Sequence, residues 1–331
     1  MRRLLLVMIM VLALLVPLAG THAQDGDEDG VELFVTADDG VYALFLPEGW
    51  QAADEGTFLG LASSPAAYDA TSGDEPGMVK IALVPVALNE LSDLGINSSD
   101  SLDDMLNIVN GLMLADVVED TTATVDTVNG IEVASMVTSD DGWDYGTLMF
   151  LLAPGVYSYA IIAATPTEYA DQADELTELV LSIGYSPGLN VEFDSEALGV
   201  TVPHLTGWQA VEEGALLFLT SAETAAPTVD LAEGEFSLVV TAFEGGDVGE
   251  GSLAVWSEYV DSEASDPVTF TVEGQAVVQV TYAAPEEGSG IGGFFALQDG
   301  DQVLTVAYVG YAGSASRVWY PALRTLLTIA G

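Results

Sequence analysis

The stretch GWQAADEG, residues 49–56, returns as GWQAVEEG at residues 207–214, with six of the eight positions identical. After each copy the chain runs through the same order of apolar segments and turns. A repeat with so long a period indicates that one folding unit has been duplicated. We therefore predict two homologous domains, residues 31–186 and 187–331, in which any proposed site can be checked against its counterpart.

Each copy predicts a mostly antiparallel sheet with two main helices. Ser99, Asp100 and Ser101 offer N-caps to a first helix, and Thr165 or Thr167 opens a second one. Asn129-Gly130 is a strong hairpin signal. Alternating apolar residues predict strands at residues 31–35, 41–46, 57–63, 78–88, 117–128, 131–138, 145–152 and 156–164 of the first copy.

The second copy repeats these elements in the same order. Residues 236–243 match residues 78–88, and Val272-Glu273-Gly274 matches Val128-Asn129-Gly130. Residues 292–295 (GGFF) align with residues 146–149 (GTLM). This correspondence predicts the same strand order in both domains.

The motif Leu46-Pro47-Glu48-Gly49-Trp50, the Val-x-Gly turn at residues 128–130 and the order of elements resemble the PsbP/Mog-like fold. That family includes extrinsic photosystem subunits, Ran-binding proteins and many exported bacterial proteins of unknown role. The resemblance covers essentially the whole mature chain, twice, although Thr206 makes the equivalent turn of the second copy depart from the first. It implies an α+β protein of two tandem α-β-α sandwiches and supplies no catalytic residues, because the family spans unrelated functions.

The N-terminus has the pattern of a secretory signal peptide. Arg2 and Arg3 precede an apolar run at residues 4–18, and small residues follow up to Ala23. We predict cleavage after Ala23, with Gly20 as the alternative site, and an exported protein with an acidic tail at residues 24–30. An uncleaved anchor is the other interpretation, but the run is shorter than the roughly 20 apolar residues of a spanning helix.

The charge balance is extreme. Removal of residues 1–23 leaves three basic residues, Lys80, Arg317 and Arg324, against 52 acidic ones, a formal charge of −49. Such a polyanion is repelled by nucleic acids and by anionic membrane surfaces, so we exclude both as partners. Half of the residues are nevertheless hydrophobic, which predicts a globular chain with an acidic surface that suits a saline or acidic medium or a cationic partner.

Most catalytic patterns are weak in this chain. His204 is the one histidine left after residue 23, and the first copy has none at the equivalent turn. With no cysteine and one histidine, zinc sites rich in nitrogen and sulfur are excluded. Residues 288–293 read GSGIGG, but a phosphate-binding loop must open a helix, and a strand is predicted next. We therefore interpret this segment as a hairpin loop and predict no cofactor.

Residues 25–30 read DGDEDG and imitate the start of a calcium-binding EF-hand loop. Asp25, Asp27 and Asp29 are therefore weak candidate ligands for Ca²⁺. Thr36 stands where such a loop needs a bidentate glutamate, so a solvated tail is the favoured interpretation.

One loop is a candidate partner-binding surface. Asp141, Trp143, Asp144 and Tyr145 lie at a predicted hairpin tip, where we expect Trp143 to be exposed and to stack with Tyr145 on a sugar or a protein partner. The two repeated tryptophans, by contrast, lie beside apolar strands and are predicted to pack in the cores.

The sequence as a whole favours an exported, non-enzymatic binding or scaffold protein for an unknown protein or small ligand. Two alternatives stay open. The first is a hydrolase that uses paired carboxylates between the two domains. The second is a protein that binds divalent cations weakly.

The charge predicts how stability depends on the medium. Added salt or a moderately low pH should raise the melting temperature of the mature protein, because either reduces repulsion among unpaired carboxylates. Scanning calorimetry at increasing NaCl concentrations tests this. A melting temperature that falls steadily as salt is added would contradict it.

Overall fold

A computed structural model describes most of the chain. The described residues are 32–35, 41–54, 58–69, 77–97, 99–114, 122–140, 143–153, 155–222, 231–232, 234–260, 262–272, 274–283 and 288–330. The predicted leader at residues 1–23, the acidic tail with Asp25, Asp27 and Asp29, and the loop residue Asp141 lie outside them.

The chain divides into two compact units. Leu44–Ile183 belongs to the first unit and Gly184–Gly331 to the second. Tyr42 and Ala43 are grouped with the second unit, where they pair with Tyr185 and Gly184.

The first unit contains a seven-stranded antiparallel sheet in the order β3-β4-β5-β9-β8-β7-β6. Two short strands precede it. The strands are β1 (Glu32–Val35), β2 (Tyr42–Leu46), β3 (Gln51–Asp54), β4 (Leu59–Ala62), β5 (Val79–Ala87), β6 (Thr124–Val128), β7 (Ile131–Asp140), β8 (Trp143–Ala153) and β9 (Val156–Ala164).

The second unit contains a seven-stranded antiparallel sheet in the order β13-β14-β15-β19-β18-β17-β16. A hairpin, β11 with β12, precedes it. The strands are β10 (Gly184–Tyr185), β11 (Val191–Ser195), β12 (Val200–His204), β13 (Gln209–Glu213), β14 (Leu216–Thr220), β15 (Phe236–Glu244), β16 (Val268–Val272), β17 (Gln275–Thr281), β18 (Ser289–Asp299) and β19 (Gln302–Tyr311).

Among the described residues the helices are fewer than the strands. They are α1 (Pro65–Asp69), α2 (Leu88–Ser92), α3 (Leu102–Met113), α4 (Pro166–Ser182), α5 (Val248–Trp256), a 3₁₀ segment (Ala312–Val318) and α6 (Trp319–Ala330). Thr165 caps α4 as predicted, and its hydroxyl accepts from the Glu168 amide at 3.5 Å. Ser101 is the N-cap of α3, but its hydroxyl donates to the Asp104 carboxylate instead of capping a backbone amide.

The two sheets have the same strand order, as the duplication predicts. Two seven-stranded antiparallel sheets thus make up most of the described structure, and strand outweighs helix. The sequence pattern does not predict β3, because its QAAD sequence carries two small apolar residues and little strand signal. The strand predicted at residues 117–128 is too long by at least residues 122 and 123, because β6 begins at Thr124; residues 117–121 lie outside the described residues.

The repeated octapeptide begins with the same turn in both units. The Trp50 amide donates to the Pro47 carbonyl at 3.1 Å, and the Trp208 amide donates to the Leu205 carbonyl at 3.2 Å. The glycine before each tryptophan has a positive φ, 83° in one unit and 86° in the other. A turn of this kind requires φ > 0 at its third residue, which explains why glycine recurs there.

The strand register corrects one part of the repeat alignment. Gly146 pairs with Ile162 in β9, and Gly293 pairs with Tyr308 at the equivalent place in β19. Gly146 therefore corresponds to Gly293, one residue later than the sequence alignment predicted. The shift arises because the ladder skips a residue, Gly292, as a β-bulge does.

A buried polar chain links α3 to the first sheet. The Tyr159 hydroxyl donates to Asn110 Oδ1 at 2.7 Å, and Asn110 Nδ2 donates to Thr147 Oγ1 at 2.8 Å. Thr147 in turn donates to the Met136 carbonyl at 3.3 Å. Burial raises the pKa of the Tyr159 phenol well above its usual value, so the hydroxyl remains a donor at physiological pH.

The second unit makes the same kind of link with exchanged side-chain sizes. Trp256 of α5 donates through Nε1 to Thr305 Oγ1 at 2.9 Å, and Thr305 donates to the Phe295 carbonyl at 3.1 Å. By register, Thr305 occupies the position of Tyr159. One unit therefore combines a small helix residue with a large strand residue, and the other does the reverse. Close-packed interiors tolerate such exchanges when the total volume is kept.

The link in the first unit can be tested by removing one hydroxyl. Tyr159→Phe leaves the buried Asn110 Oδ1 without its donor, so we expect unfolding in urea to require about 1–3 kcal/mol less. Tyr157→Phe, on the same strand and half-buried, is the matched control and should change stability by less than about 0.5 kcal/mol. Equal effects of the two substitutions would contradict the role of this link.

Candidate functional site

The predicted partner-binding loop is the tip of the β7–β8 hairpin. Asp140 pairs with Trp143 across the tip. Trp143 is 8% exposed and belongs to the apolar core of the first unit, so the expectation that it is exposed is wrong. Tyr145 is half-buried and packs against the same core.

Asp144 lies on the opposite face of β8, because successive strand residues alternate. It accepts a hydrogen bond from the Ser139 hydroxyl at 2.6 Å. Gly146 lies on the same face as Asp144, and a Cβ built there would meet Tyr169 Cε2 of α4 at 2.7 Å. Burial, followed by the charge of Asp144, raises the pKa of the Tyr169 phenol.

The structure therefore does not bring Trp143, Tyr145 and Asp144 together on one surface. The two aromatic side chains serve the core below one face of the sheet, while the carboxylate lies on the other face. The signal was present in the sequence, because alternation along β8 places residues 143 and 145 in line with the buried Met149. The predicted strand begins only at residue 145, whereas β8 begins at Trp143.

His204 is a core residue of the second unit. It is 4% exposed, and its Nδ1 lies 3.1 Å from the Leu205 carbonyl, to which the ring N–H donates. One ring nitrogen of His204 is thus engaged in a hydrogen bond to a backbone carbonyl. This geometry suits a structural histidine.

The glycine-rich pattern at residues 288–293 lies largely within a strand. β18 begins at Ser289, so the expectation of a hairpin loop is wrong for most of the segment. No helix opens after it, because the strand continues to Asp299. The geometry required for phosphate binding is therefore absent from this described segment.

The positive side chains are withdrawn from the surface. Lys80 is 6% exposed and Arg317 is 4% exposed. Arg324 is half-buried, donates through Nη1 to the Ser186 carbonyl at 3.1 Å and lies 5.9 Å from the Tyr320 ring centre. Burial lowers the pKa of the Arg317 guanidinium to about 10, which still leaves it charged at neutral pH.

One half-buried carboxylate has a clear structural role. Glu212 Oε1 accepts from the Ser195 hydroxyl at 2.5 Å and from the Ala197 amide at 3.1 Å, which ties the β11–β12 turn to β13. Ser195 first, and then Ala197, hold the pKa of the Glu212 carboxyl below its usual range. The ionised Glu212 carboxylate therefore stabilises the fold at pH values above the pKa it has in the unfolded chain. This stabilisation is lost as the pH falls through its lower pKa in the folded protein.

The other carboxylates do not assemble a metal centre in the part of the chain that the structure covers. No group of three or more His, Asp or Glu side chains there is placed to hold a metal ion. Among the same residues, no helix has both the length and the hydropathy to cross a bilayer.

Neither a family model nor a curated protein matches the chain. Among solved structures, cyanobacterial PsbP (CyanoP) from Synechocystis sp. PCC 6803 aligns with a TM-score of 0.32 and 11% identity, over 49% of this chain and 98% of CyanoP. The MucA/MucB complex of Pseudomonas aeruginosa aligns with a TM-score of 0.15 and 13% identity, over 94% of this chain and 90% of the matched chain. The likeness to a PsbP protein is thus weak and spans half of the chain.

The burial of Trp143 generates a stability prediction. Trp143→Ala should lower the free energy of unfolding by about 3–5 kcal/mol, because it empties a core position. Asp144→Asn, its neighbour on the opposite face, is the control and should change stability by about 1 kcal/mol or less. Urea unfolding of the mature protein measures both. A Trp143→Ala protein as stable as the control would show that the indole does not support the core.

Proposed function

We propose that this chain is an exported, non-enzymatic binding or scaffold protein, built from two tandem PsbP/Mog-like α-β-α sandwiches, whose acidic surface receives a cationic partner. The observation that carries the proposal is the placement of charge. All three basic residues that follow the predicted leader are buried or half-buried, so the carboxylates define the exterior.

Helix packing in the first unit supports the sandwich. Met105, Leu106 and Val109 of α3 share a core with Tyr159 of the central strand β9. Tyr169 of α4 lies over Gly146, which pairs with Ile162. Positions 159 and 162 of β9 point to opposite faces of the sheet, so the two helices cover different faces.

The second unit supports it in the same way. Trp256 of α5 shares a core with Phe294. Trp319 of α6 contacts the ring of the next residue, Phe295, at 6.1 Å between ring centres. Because consecutive strand residues face opposite sides, α5 and α6 lie on different faces of the sheet.

The electrostatics favour a cationic partner. A surface with one sign of charge attracts opposite charge over distances set by the ionic strength and repels polyanions. Such complementarity raises association rates and excludes wrong partners more than it adds affinity. The partner class that this surface favours is therefore a basic protein segment or a cationic small ligand.

The described side chains supply a binding surface more readily than a reaction centre. His204 is buried, and its Nδ1 is engaged by a backbone carbonyl. The Glu212 carboxylate accepts two structural hydrogen bonds. These contacts give His204 and Glu212 structural roles, and the carboxylate-dependent hydrolase remains the alternative function.

Isothermal titration with poly-L-lysine tests the proposal. We expect saturable binding that weakens as NaCl rises, because the Debye length falls from about 10 Å at 0.1 M to about 3 Å at 1 M. Poly-L-glutamate of the same length is the matched control and should not bind. Failure of poly-L-lysine to bind at low salt would refute a cationic partner. Saturable Ca²⁺ binding in physiological salt, with no binding of poly-L-lysine, would favour the divalent-cation alternative instead.

A further inference from the structure

Strand β6 forms one edge of the first sheet and pairs only with β7 among the described strands. Asn129 and Gly130 connect the two strands in a tight turn with φ values of 52° and 78°. This geometry makes Val128 and Ile131 a hydrogen-bonded pair. Because such pairs alternate along an antiparallel ladder, the backbone groups of Val125 and Thr127 point away from β7.

The Asp126 side chain forms a hydrogen bond with one of these outward-pointing backbone groups. Its Oδ1 accepts a hydrogen bond from the Thr127 amide at 2.8 Å. Exposed edge strands attract other strands, and charged side chains are one of the means by which proteins prevent this. The Asp126 carboxylate thus makes the outward-pointing amide of Thr127 unavailable to an incoming strand as long as this hydrogen bond persists.

The equivalent edge of the second sheet is built differently. By register, Phe270 of β16 occupies the position of Asp126. Phe270 is 6% exposed and packs edge-on against Phe295, with ring centres 6.3 Å apart. The first unit therefore has an exposed carboxylate where the second has a core aromatic, so the fold itself does not require Asp126.

We propose that β6 accepts an extended segment of a partner protein that carries a lysine or arginine opposite Asp126 among β-branched residues. This inference rests on the proposed function, because it takes a cationic partner as given. The partner's cation attracts the Asp126 carboxylate away from the Thr127 amide, which then donates to a carbonyl of the incoming strand. The side chain of Val125, which is 42% exposed, lies on the opposite face of β6 from Asp126 and provides an apolar contact for the incoming strand.

Charge decides between this occupant and a second copy of the chain. Symmetric antiparallel pairing of two β6 strands about Asp126 places two carboxylates opposite each other, which is destabilising. The high negative charge of both copies adds to this repulsion. A strand with a basic residue at that position exchanges the repulsion for attraction.

A labelled pentapeptide, acetyl-Thr-Val-Lys-Thr-Val-amide, tests the proposal by fluorescence anisotropy with the mature protein. It should bind at least about tenfold more tightly than the peptide with Glu in place of Lys, because like charges across an interface are costly. A version with methylated backbone nitrogens keeps the charge but cannot extend a sheet, so its binding should be lost. The result that overturns strand addition is equal binding of the methylated and unmethylated peptides.

Three protein variants locate the binding. Asp126→Ala should reduce the preference for Lys over Glu to the smaller preference that the overall negative charge gives. Glu132→Ala is the matched control: it removes the same charge from an exposed position opposite Thr127 on β7 and should keep the preference. Thr127→Pro removes the outward N–H without breaking a bond to β7 and should weaken binding by about tenfold, the worth of one hydrogen bond.

Equal losses for the Asp126→Ala and Glu132→Ala proteins would overturn the proposal in favour of bulk charge. If Thr127→Pro does not fold, as judged by circular dichroism, the methylated peptide decides alone. Self-association of the wild-type protein in light scattering would overturn the choice of occupant. Binding of poly-L-lysine without binding of the pentapeptide refutes strand addition and leaves the proposed function intact, whereas failure of both probes refutes both.

Discussion

The main constraint on this structure is a surplus of negative charge that surface ion pairs cannot neutralise. With 52 carboxylates and three basic residues after the predicted leader, ion pairs can engage only a small fraction of the acidic side chains. Cohesion must therefore come from the interior, and each unit has an apolar core between its sheet and its helices. The three cationic side chains do not neutralise the surface carboxylates, since Lys80 and Arg317 are buried and Arg324 donates to a backbone carbonyl.

The duplicated framework has diverged by compensation. Both units keep the sheet order, the glycine turn before the repeated tryptophan and a hydrogen bond between a helix and the central strand. The side chains that make this bond differ, with Asn110 and Tyr159 in one unit and Trp256 and Thr305 in the other. A bond that persists while its residues change size indicates a requirement of the fold, because the buried polar groups must stay satisfied.

Differences between the copies are the better guide to function. At the edge of the second unit's sheet Phe270 is buried, whereas the equivalent edge of the first unit's sheet carries Asp126 and an exposed Val125. Equivalent positions in a shared framework have the same structural demands, so a polar and exposed choice at one of them is free to serve a partner. In the proposal, the overall negative charge attracts a cationic partner, and the edge of β6 is the place where that partner binds.

The amino-acid sequence determined what depends on short-range chemistry. The repeat, the positive-φ glycines, the Thr165 cap, the Asn129-Gly130 hairpin and the surplus of carboxylates were all predictable, because backbone sterics and charge act locally or by simple sum. Tertiary structure alone decided the shift at Gly292 and the burial of Lys80 and Arg317. These features depend on which face of a strand meets a distant helix, and one residue of register reverses that face.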